Sequence, residues 1–240
     1  MIHKYNDFIR LNENQNNNNN LIDYTYLKDK GTVDDIKALC EEAVENNFYA
    51  VCVLPDFVGT AQAFLEDEDV VVCTVISFPK GTDKTNNKVK ETMNAISDGA
   101  EEIDMVINYE QIKELVVLDG DEYQDLYDEI LDDVKKVARV CHADGIILKV
   151  IIEIEELNFN QIKIACDICV EAGSDFVKTS TGFAKNMTTW EEKLDKIKYM
   201  RKILPDYMKI KVSGGIRSLD QINQVLPYVD RIGTSMVIEK

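Results

Sequence analysis

The stretch DFVKTSTGF, residues 175–183, joins a short apolar strand to a loop of small hydroxyl and glycine residues. The strand ends in Lys178, and an amine at the end of an apolar strand costs free energy unless it has a partner or a chemical task. A second stretch, KIKVSGGIR at residues 209–217, repeats the pattern with Lys211 before two glycines. Two such lysines beside a glycine-rich anion site indicate carbonyl chemistry on a phosphorylated substrate.

Outward from these two stretches, apolar runs of strand length alternate with amphipathic segments of helix length. Eight runs predict strands, at residues 21–24, 50–54, 70–76, 102–107, 147–153, 175–178, 208–212 and 231–233. Helix start signals lie between them, in the pairs Thr32 with Asp35, Thr188 with Glu191, and Ser218 with Gln221. Repeated strand–helix units predict a single α/β domain, a (β/α)8 TIM barrel. An open doubly wound sheet is the alternative, which the lack of a GxGxxG motif after the first strand disfavours.

The residues before the first strand have a different character. Ile2, Tyr5, Phe8 and Ile9 are spaced as on one face of a helix. Residues 12–20 are nearly all asparagine, which favours a flexible surface loop because no apolar side chains are available for packing. We therefore expect an N-terminal helix and loop over residues 1–20 and the barrel over residues 21–240.

Composition restricts the classes of partner. The chain has 240 residues and a formal net charge of −17, which disfavours binding to nucleic acid or to anionic lipid. It has no run of 18 apolar residues and no secretory signal pattern, so a cytoplasmic protein is expected. The six cysteines predict buried reduced thiols, including the lone CxxC of Cys166 and Cys169 within a helical pattern. Two histidines are too few for a typical metal site, so no metal is expected.

Among the charged residues within or at the ends of predicted strands, where barrels place their reactive groups, four are candidates: Asp104, Lys149, Lys178 and Lys211. A structural ion network is one explanation. Schiff-base chemistry is the other, and it requires a neutral amine, which a neighbouring ammonium favours. Lys178 and Lys211 lie on adjacent predicted strands, about 5 Å apart, so one could activate the other. Their spacing leaves open which lysine is the nucleophile.

A phosphate site is predicted on the same rim of the barrel. Gly214 and Gly215 follow the seventh strand, and Gly233, Thr234 and Ser235 end the eighth. Glycines let backbone amides approach an anion closely. In barrels, phosphate commonly binds after strands seven and eight.

Eight segments together resemble the deoxyribose-phosphate aldolase family. They are IDYTYL (22–27), AVCVLP (50–55), VISFPKG (75–81), GAEEIDMVIN (99–108), LKVIIE (148–153), DFVKTSTGF (175–183), KVSGGIR (211–217) and RIGTS (231–235). The resemblance implies that Lys178 forms the Schiff base, that Lys211 perturbs it, and that Asp104 relays protons. It further implies that Asp23, Lys149 and Thr179 line the substrate site with the phosphate-binding residues named above.

The resemblance implies a class I aldolase that needs no metal and no organic cofactor, and that forms a homodimer. Its implied reaction is reversible cleavage of 2-deoxy-D-ribose 5-phosphate. Four residues depart from the family pattern, Ser77, Lys80, Phe183 and Met236, and they bear on phosphate affinity and substrate breadth. Two alternatives stay open: another Schiff-base phosphosugar aldolase or transaldolase-like barrel, and a phosphosugar-binding barrel without catalysis.

Overall fold

A computed structural model describes residues 19–186 and 188–235. The predicted N-terminal helix and residues 12–18 of the asparagine-rich stretch lie outside the described residues. Residues 19 and 20 differ from the predicted loop, because Asn19–Leu21 form a 3-10 turn. There Asn19 Nδ2 donates a hydrogen bond of 2.8 Å to the carbonyl oxygen of Asn46. The first strand follows this turn directly.

The predicted (β/α)8 TIM barrel is confirmed. The strands form one closed parallel sheet in sequence order, in which β8 also pairs with β1. Their bounds are β1 Ile22–Tyr26, β2 Ala50–Val53, β3 Val71–Ile76, β4 Glu102–Val106, β5 Ile147–Ile151, β6 Phe176–Lys178, β7 Lys209–Val212 and β8 Arg231–Thr234.

The α-helices of the described residues connect these strands around the outside of the barrel. Their bounds are α1 Val33–Glu45, α2 Val58–Leu65, α3 Thr85–Ser97, α4 Tyr109–Leu115, α5 Gly120–Ala143, α6 Phe159–Ala172, α7 Trp190–Ile203 and α8 Leu219–Val225. Helices α4 and α5 both lie between β4 and β5, and each of the remaining connections between strands contains one α-helix. Further 3-10 turns lie at Pro55–Phe57, Ile154–Glu156 and Leu226–Tyr228.

Local hydrogen bonds explain where the elements begin and end. Thr32 and Asp35 form the predicted capping box at the start of α1. The box predicted for Thr188 and Glu191 is wrong by one residue: the Thr189 side chain accepts from the Glu192 amide, and α7 begins at Trp190. Strand β5 ends two residues earlier than predicted because the backbone of Glu153 turns into the left-handed region, with φ 56°.

The two faces of the strands differ in chemistry. Val51, Val53 and Ile103 belong to the apolar core between the sheet and the helices. The alternate positions of β2 and β3 hold small side chains, in a cluster of Ala50, Cys52, Cys73 and Val75. No helix within the described residues is long and apolar enough to cross a membrane.

Candidate active site

Asp104 on β4 lies at the centre of a buried ion network. Its Oδ2 atom lies 2.7 Å from Lys178 Nζ and 2.7 Å from Lys211 Nζ, and its Oδ1 atom lies 2.9 Å from Lys149 Nζ. Lys149, Lys178 and Lys211 come from the consecutive strands β5, β6 and β7. The structure therefore brings together the four charged residues that the sequence singles out.

Lys178 and Lys211 are neighbours because of strand register. They are paired across β6 and β7, so their side chains project to the same face at the same level. Their amines contact one carboxylate oxygen, and so cannot be further apart than twice 2.7 Å. Lys178 is only 2% exposed and Lys211 only 1%. This geometry suits a nucleophilic amine with a second cation beside it.

The network extends below Asp104 to Glu102 and Arg231, which the sequence analysis did not select. Glu102 Oε2 lies 2.5 Å from Lys149 Nζ, and Arg231 Nη1 lies 2.8 Å from Asp23 Oδ1. Arg231 also approaches Glu102 Oε2, at 3.3 Å. The sequence signal that could have identified Glu102 is the alternation of side chains along a strand. Glu102 stands two residues before Asp104 and therefore lies on the same face of β4.

The buried charges hold one another in the ionised form. Burial by itself raises the pKa of Asp104, but the ammonium groups around it outweigh this effect and hold the pKa well below its usual range. Burial by itself lowers the pKa of Lys211, but Asp104 and Asp23 outweigh it and hold that pKa above the ordinary value. Asp104 is therefore a carboxylate, and Lys211 an ammonium, at neutral pH.

Two predicted substrate-binding residues lie deep in this network. Lys149 has no exposed surface and contacts Glu102 and Asp104. Asp23 is equally buried and forms ion pairs with Lys211 and Arg231. Their burial indicates that Lys149 and Asp23 hold Asp104 and Lys211 in place and do not contact a substrate directly.

The loop after β6 is anchored by hydrogen bonds on both sides. The predicted substrate residue Thr179 donates from Oγ1 to the Ser213 carbonyl oxygen at 3.2 Å and accepts from the Ser213 amide at 3.0 Å. The sequence analysis did not identify Lys193 on α7, because its position in the helical pattern is typical of a solvent-exposed lysine. Its Nζ atom lies 2.5 Å from Glu155 Oε1 and donates to the carbonyl oxygens of Ser213 and Gly214, each at 2.6 Å.

Glu153, two residues after the end of β5, binds the same loop from the other side. Its carboxyl group accepts from the Thr181 amide at 3.0 Å and from the Thr181 hydroxyl. Burial raises the pKa of Glu153 to about 7, against the Thr181 hydrogen bonds that lower it. The group therefore titrates near neutral pH while it holds the loop that follows Lys178.

We expect Glu153→Gln to change how stability depends on pH. The folded protein keeps the Glu153 proton up to about pH 7, whereas an ordinary glutamate loses it near pH 4.5. This contribution to stability is complete below about pH 4.5 and is lost as the pH rises to about 7. The free energy of unfolding of the wild type should therefore fall by about 3 kcal/mol more than that of the variant across this window.

Urea unfolding at several pH values measures the difference between the two proteins. Glu41→Gln is the control, since the Glu41 side chain is 63% exposed on α1. Parallel curves for wild type and Glu153→Gln would contradict a titration of Glu153 near neutral pH.

The predicted phosphate site lies at the ends of β7 and β8. Gly214 and Gly215 both have positive φ, 78° and 74°. A methyl group at Gly214 would approach Ser180 Cβ to 2.9 Å, whereas one at Gly215 would meet nothing within 4 Å. Ser235 is exposed, while Thr234 is buried and its hydroxyl donates to the Ile216 carbonyl oxygen at 3.2 Å. Gly214 therefore serves close packing, and the open space lies at Gly215 and Ser235.

Two of the residues that depart from the family pattern have defined contacts. Ser77 Oγ donates to Asp83 Oδ2 at 2.7 Å. The Phe183 ring packs edge-to-face on Phe78, with centroids 5.3 Å apart, and is 57% exposed. Met236 lies outside the described residues. An exposed Phe183 ring on a half-buried Phe78 thus borders the loop after β6.

The structure gathers thiols and carboxylates that are far apart in the sequence. The ligand atoms of Cys52, Cys73 and Asp104 lie within 4.8 Å of one another, as do those of Asp23, Cys73 and Glu102. The spacing of these residues along the chain gave no sign of the two groupings, because their members come from different strands. Their surroundings do not suit a cation, however, because Asp104 already contacts three ammonium groups.

The fold and the site define an α/β-barrel protein with three buried lysines around one carboxylate. Comparison with known proteins narrows this class to a family. Residues 18–229 match the family described as DeoC/LacD family aldolase, to which the chain belongs. It is 42% identical over 219 residues to the deoxyribose-phosphate aldolase of Ureaplasma urealyticum, covering 91% of this chain and 94% of that one.

Solved structures agree with this assignment. A putative deoxyribose-phosphate aldolase from Coccidioides immitis superposes with a TM-score of 0.80 and 34% identity, covering 90% of this chain and 81% of the other. The deoxyribose phosphate aldolase of Aeropyrum pernix, described as tetrameric, has a TM-score of 0.78 and 26% identity, covering 92% and 87%.

Proposed function

We propose that this chain is a class I aldolase that reversibly cleaves 2-deoxy-D-ribose 5-phosphate to D-glyceraldehyde 3-phosphate and acetaldehyde. The observation that carries the proposal is the single oxygen of Asp104 shared by Lys178 and Lys211 at 2.7 Å each. This contact supports Lys178 as the nucleophilic amine, Lys211 as a fixed cation and Asp104 as the proton acceptor, because both amines touch the same carboxylate. Family membership and the names of the relatives support the reaction and the substrate.

In the synthetic direction, Lys178 Nζ attacks the carbonyl carbon of acetaldehyde, and water leaves to form an iminium ion. Asp104, through a water molecule and with Lys211, removes a proton from the methyl carbon, and the C–H electrons form the enamine. The enamine carbon then attacks the aldehyde carbon of glyceraldehyde 3-phosphate, and the new alkoxide takes up a proton. Water hydrolyses the resulting iminium and frees Lys178.

The charge of the network supports this assignment. When all groups are ionised, the described network has four cations, Lys149, Lys178, Lys211 and Arg231, and three carboxylates, Asp23, Glu102 and Asp104. A neutral Lys178 leaves three of each sign. Enamine formation also removes the charge on the Lys178 nitrogen as Asp104 gains a proton, so the same step neutralises both partners.

The two alternatives are less well supported. A non-catalytic binding protein has no use for a buried lysine whose amine contacts a carboxylate and a second ammonium, because burying these charges is costly. Another phosphosugar aldolase would use the same lysines, and the names of the relatives favour deoxyribose 5-phosphate over other sugars.

Cleavage assays with a chelator present test the proposal. We expect acetaldehyde release from 2-deoxy-D-ribose 5-phosphate, at an unchanged rate in the chelator, because the mechanism uses only amines and a carboxylate. Longer ketose phosphates are the comparison substrates. Preferred cleavage of a ketose phosphate would favour the first alternative, and loss of activity in chelator that zinc restores would overturn the Schiff-base mechanism.

The phosphate is proposed to rest on backbone amides at Gly215 and Ser235, near Gly214 and Thr234. We expect Gly215→Val to raise the KM for deoxyribose 5-phosphate by about 10-fold or more, because its side chain fills the open space beside the amide. Unphosphorylated deoxyribose should be affected much less. Steady-state kinetics with both sugars measure the difference.

Gly173→Val is the matched control for this substitution. Gly173 has φ 78°, with nothing within 4 Å of an added Cβ, and ends α6 away from the rim. It therefore reproduces the backbone strain without blocking the proposed site. If Gly215→Val impairs the kinetics with both sugars equally, Gly215 serves the fold and not phosphate binding. Lys185 is then the next candidate for binding the phosphate.

Assembly and location remain proposals. The family resemblance implies a homodimer, while the Aeropyrum pernix relative is tetrameric, so we propose association between copies of this chain. A cytoplasmic location is supported by the six cysteines, all unpaired and buried, which suit a reducing compartment.

A further inference from the structure

Two cysteines face each other inside the barrel, next to the ion network. Cys52 on β2 and Cys73 on β3 are register partners, and their sulfur atoms lie within 4.8 Å of each other. Adjacent strands are about 5 Å apart, and a disulfide spans Cα atoms about 4.4 to 6.8 Å apart. The two thiols can therefore be joined without moving the strands apart.

The surroundings give the two thiols different chemistry. A hydrogen bond from Cys73 lowers the pKa of Cys52, with help from the charges of Lys211 and Lys178 and against the effect of burial. Burial raises the pKa of Cys73 well above its ordinary value, and its hydrogen bond with Cys52 raises it further. Cys52 is thus suited to be the thiolate that reacts first with an oxidant, and Cys73 to be the thiol that then forms a disulfide with it.

The other cysteines lack this arrangement. Burial raises the pKa of Cys40, Cys141 and Cys169 to about 12 and that of Cys166 well above its ordinary value. Cys166 and Cys169 form the CxxC of the sequence, but both lie on the buried face of α6. They provide a matched pair of buried thiols outside the barrel lumen.

We propose that Cys52 and Cys73 are a site of reversible oxidation by peroxides, and that the resulting disulfide switches the enzyme off. The Cys52 thiolate attacks a peroxide oxygen, so that an S–O bond forms, the O–O bond breaks and the leaving oxygen takes up a proton. The Cys73 sulfur then attacks Cys52, the S–S bond forms and the S–O oxygen leaves as water with the Cys73 proton. Two thiols lose two electrons, and hydrogen peroxide is reduced to two molecules of water.

The link to activity is a set of contacts at Cys73. While Cys52 is a neutral thiol, the Cys73 S–H donates to Asp104 Oδ1 at 3.3 Å, and the Cys73 sulfur accepts from Lys149 Nζ at 3.4 Å. The same S–H turns to Cys52 when that thiol ionises. A disulfide has no S–H, so Asp104 loses this donor while the sulfur moves towards Cys52. Because Asp104 positions both Lys178 and Lys211, the effect on activity, which rests on the proposed aldolase function, is expected to be a loss.

The oxidation requires that a small peroxide reach the buried pair. The aldehyde substrate has to reach Lys178, which is 2% exposed, and Lys178 is near enough for its charge to act on Cys52. Hydrogen peroxide is smaller than acetaldehyde, and we infer that it reaches Cys52 by way of Lys178.

The test treats the reduced protein with hydrogen peroxide and maps its disulfides by mass spectrometry. We expect a mass lower by two hydrogens, a peptide linked through Cys52 and Cys73, and at least a 10-fold loss of aldolase activity that dithiothreitol restores. Mapping does not depend on any activity, so failure of the aldolase assignment and failure of the oxidation site are distinguishable.

Variants locate the effect. Cys73→Ala should form no disulfide, and its oxidation should stop at the Cys52 sulfenic acid, which dimedone traps. Cys166→Ala should behave as the wild type. If the wild type forms no Cys52–Cys73 link under peroxide that oxidises a free cysteine, if the link maps to Cys166 and Cys169, or if the linked protein keeps full activity, the proposal is wrong.

Discussion

Lys178→Ala should abolish formation of a covalent adduct with acetaldehyde and lower the rate of deoxyribose 5-phosphate cleavage by about 10⁴-fold or more. In the proposed mechanism the Lys178 amine is the atom that forms the Schiff base, and alanine leaves no amine at the end of β6. Borohydride reduction in the presence of acetaldehyde, followed by mass mapping of the labelled peptide, measures the adduct directly.

The fold should survive this substitution, because Asp104 keeps two ammonium partners, Lys149 and Lys211. A melting curve close to that of the wild type confirms that the loss is chemical. Lys163→Ala is the control, since Lys163 is an exposed lysine on α6 that pairs with Asp167. An adduct found on Lys211 or Lys149 in the wild type would contradict the assignment of the nucleophile.

Lys211→Leu should raise the pH at which Schiff-base formation begins and lower the rate near neutral pH by about 100-fold. Asp104 and Asp23 keep Lys211 protonated, so the wild type presents a fixed positive charge beside the nucleophile. Leucine removes that charge. The pH dependence of adduct formation, measured by borohydride trapping, is the readout.

The variant should fold because each carboxylate that Lys211 contacts has another cation. Asp23 retains Arg231, and Asp104 retains Lys149 and Lys178. Lys209→Leu is the matched control: Lys209 lies on the same strand, is exposed and stacks on the Phe176 ring. A lower rate with an unchanged pH profile in Lys211→Leu would make Lys211 a positioning or proton-transfer residue.

Much of the fold follows from local pattern. The eight apolar runs match the eight strands to within two residues at either end, because buried parallel strands require nearly continuous Val and Ile. Thr32 and Ser218 begin helices as predicted, since the capping contacts involve residues only three apart. Glu153 shows the limit, because its left-handed backbone depends on contacts with Thr181 across the loop.

The candidate site could be predicted only in part. Asp104, Lys149, Lys178 and Lys211 are conspicuous as charges in apolar strands. Lys193 is not, because one lysine among many on a charged helix gives no sign that it will be buried against the carbonyl oxygens of Ser213 and Gly214.

The sequence by itself therefore determined the barrel, its strand order and the lysines at the strand ends, because each depends on spacing along the chain. Only the tertiary structure decided which groups share a partner. Lys178 and Lys211 meet on one oxygen of Asp104, and Cys52 faces Cys73, through the register of the closed sheet. Register is a relation between strands tens of residues apart, and the pairing of buried charges follows from it.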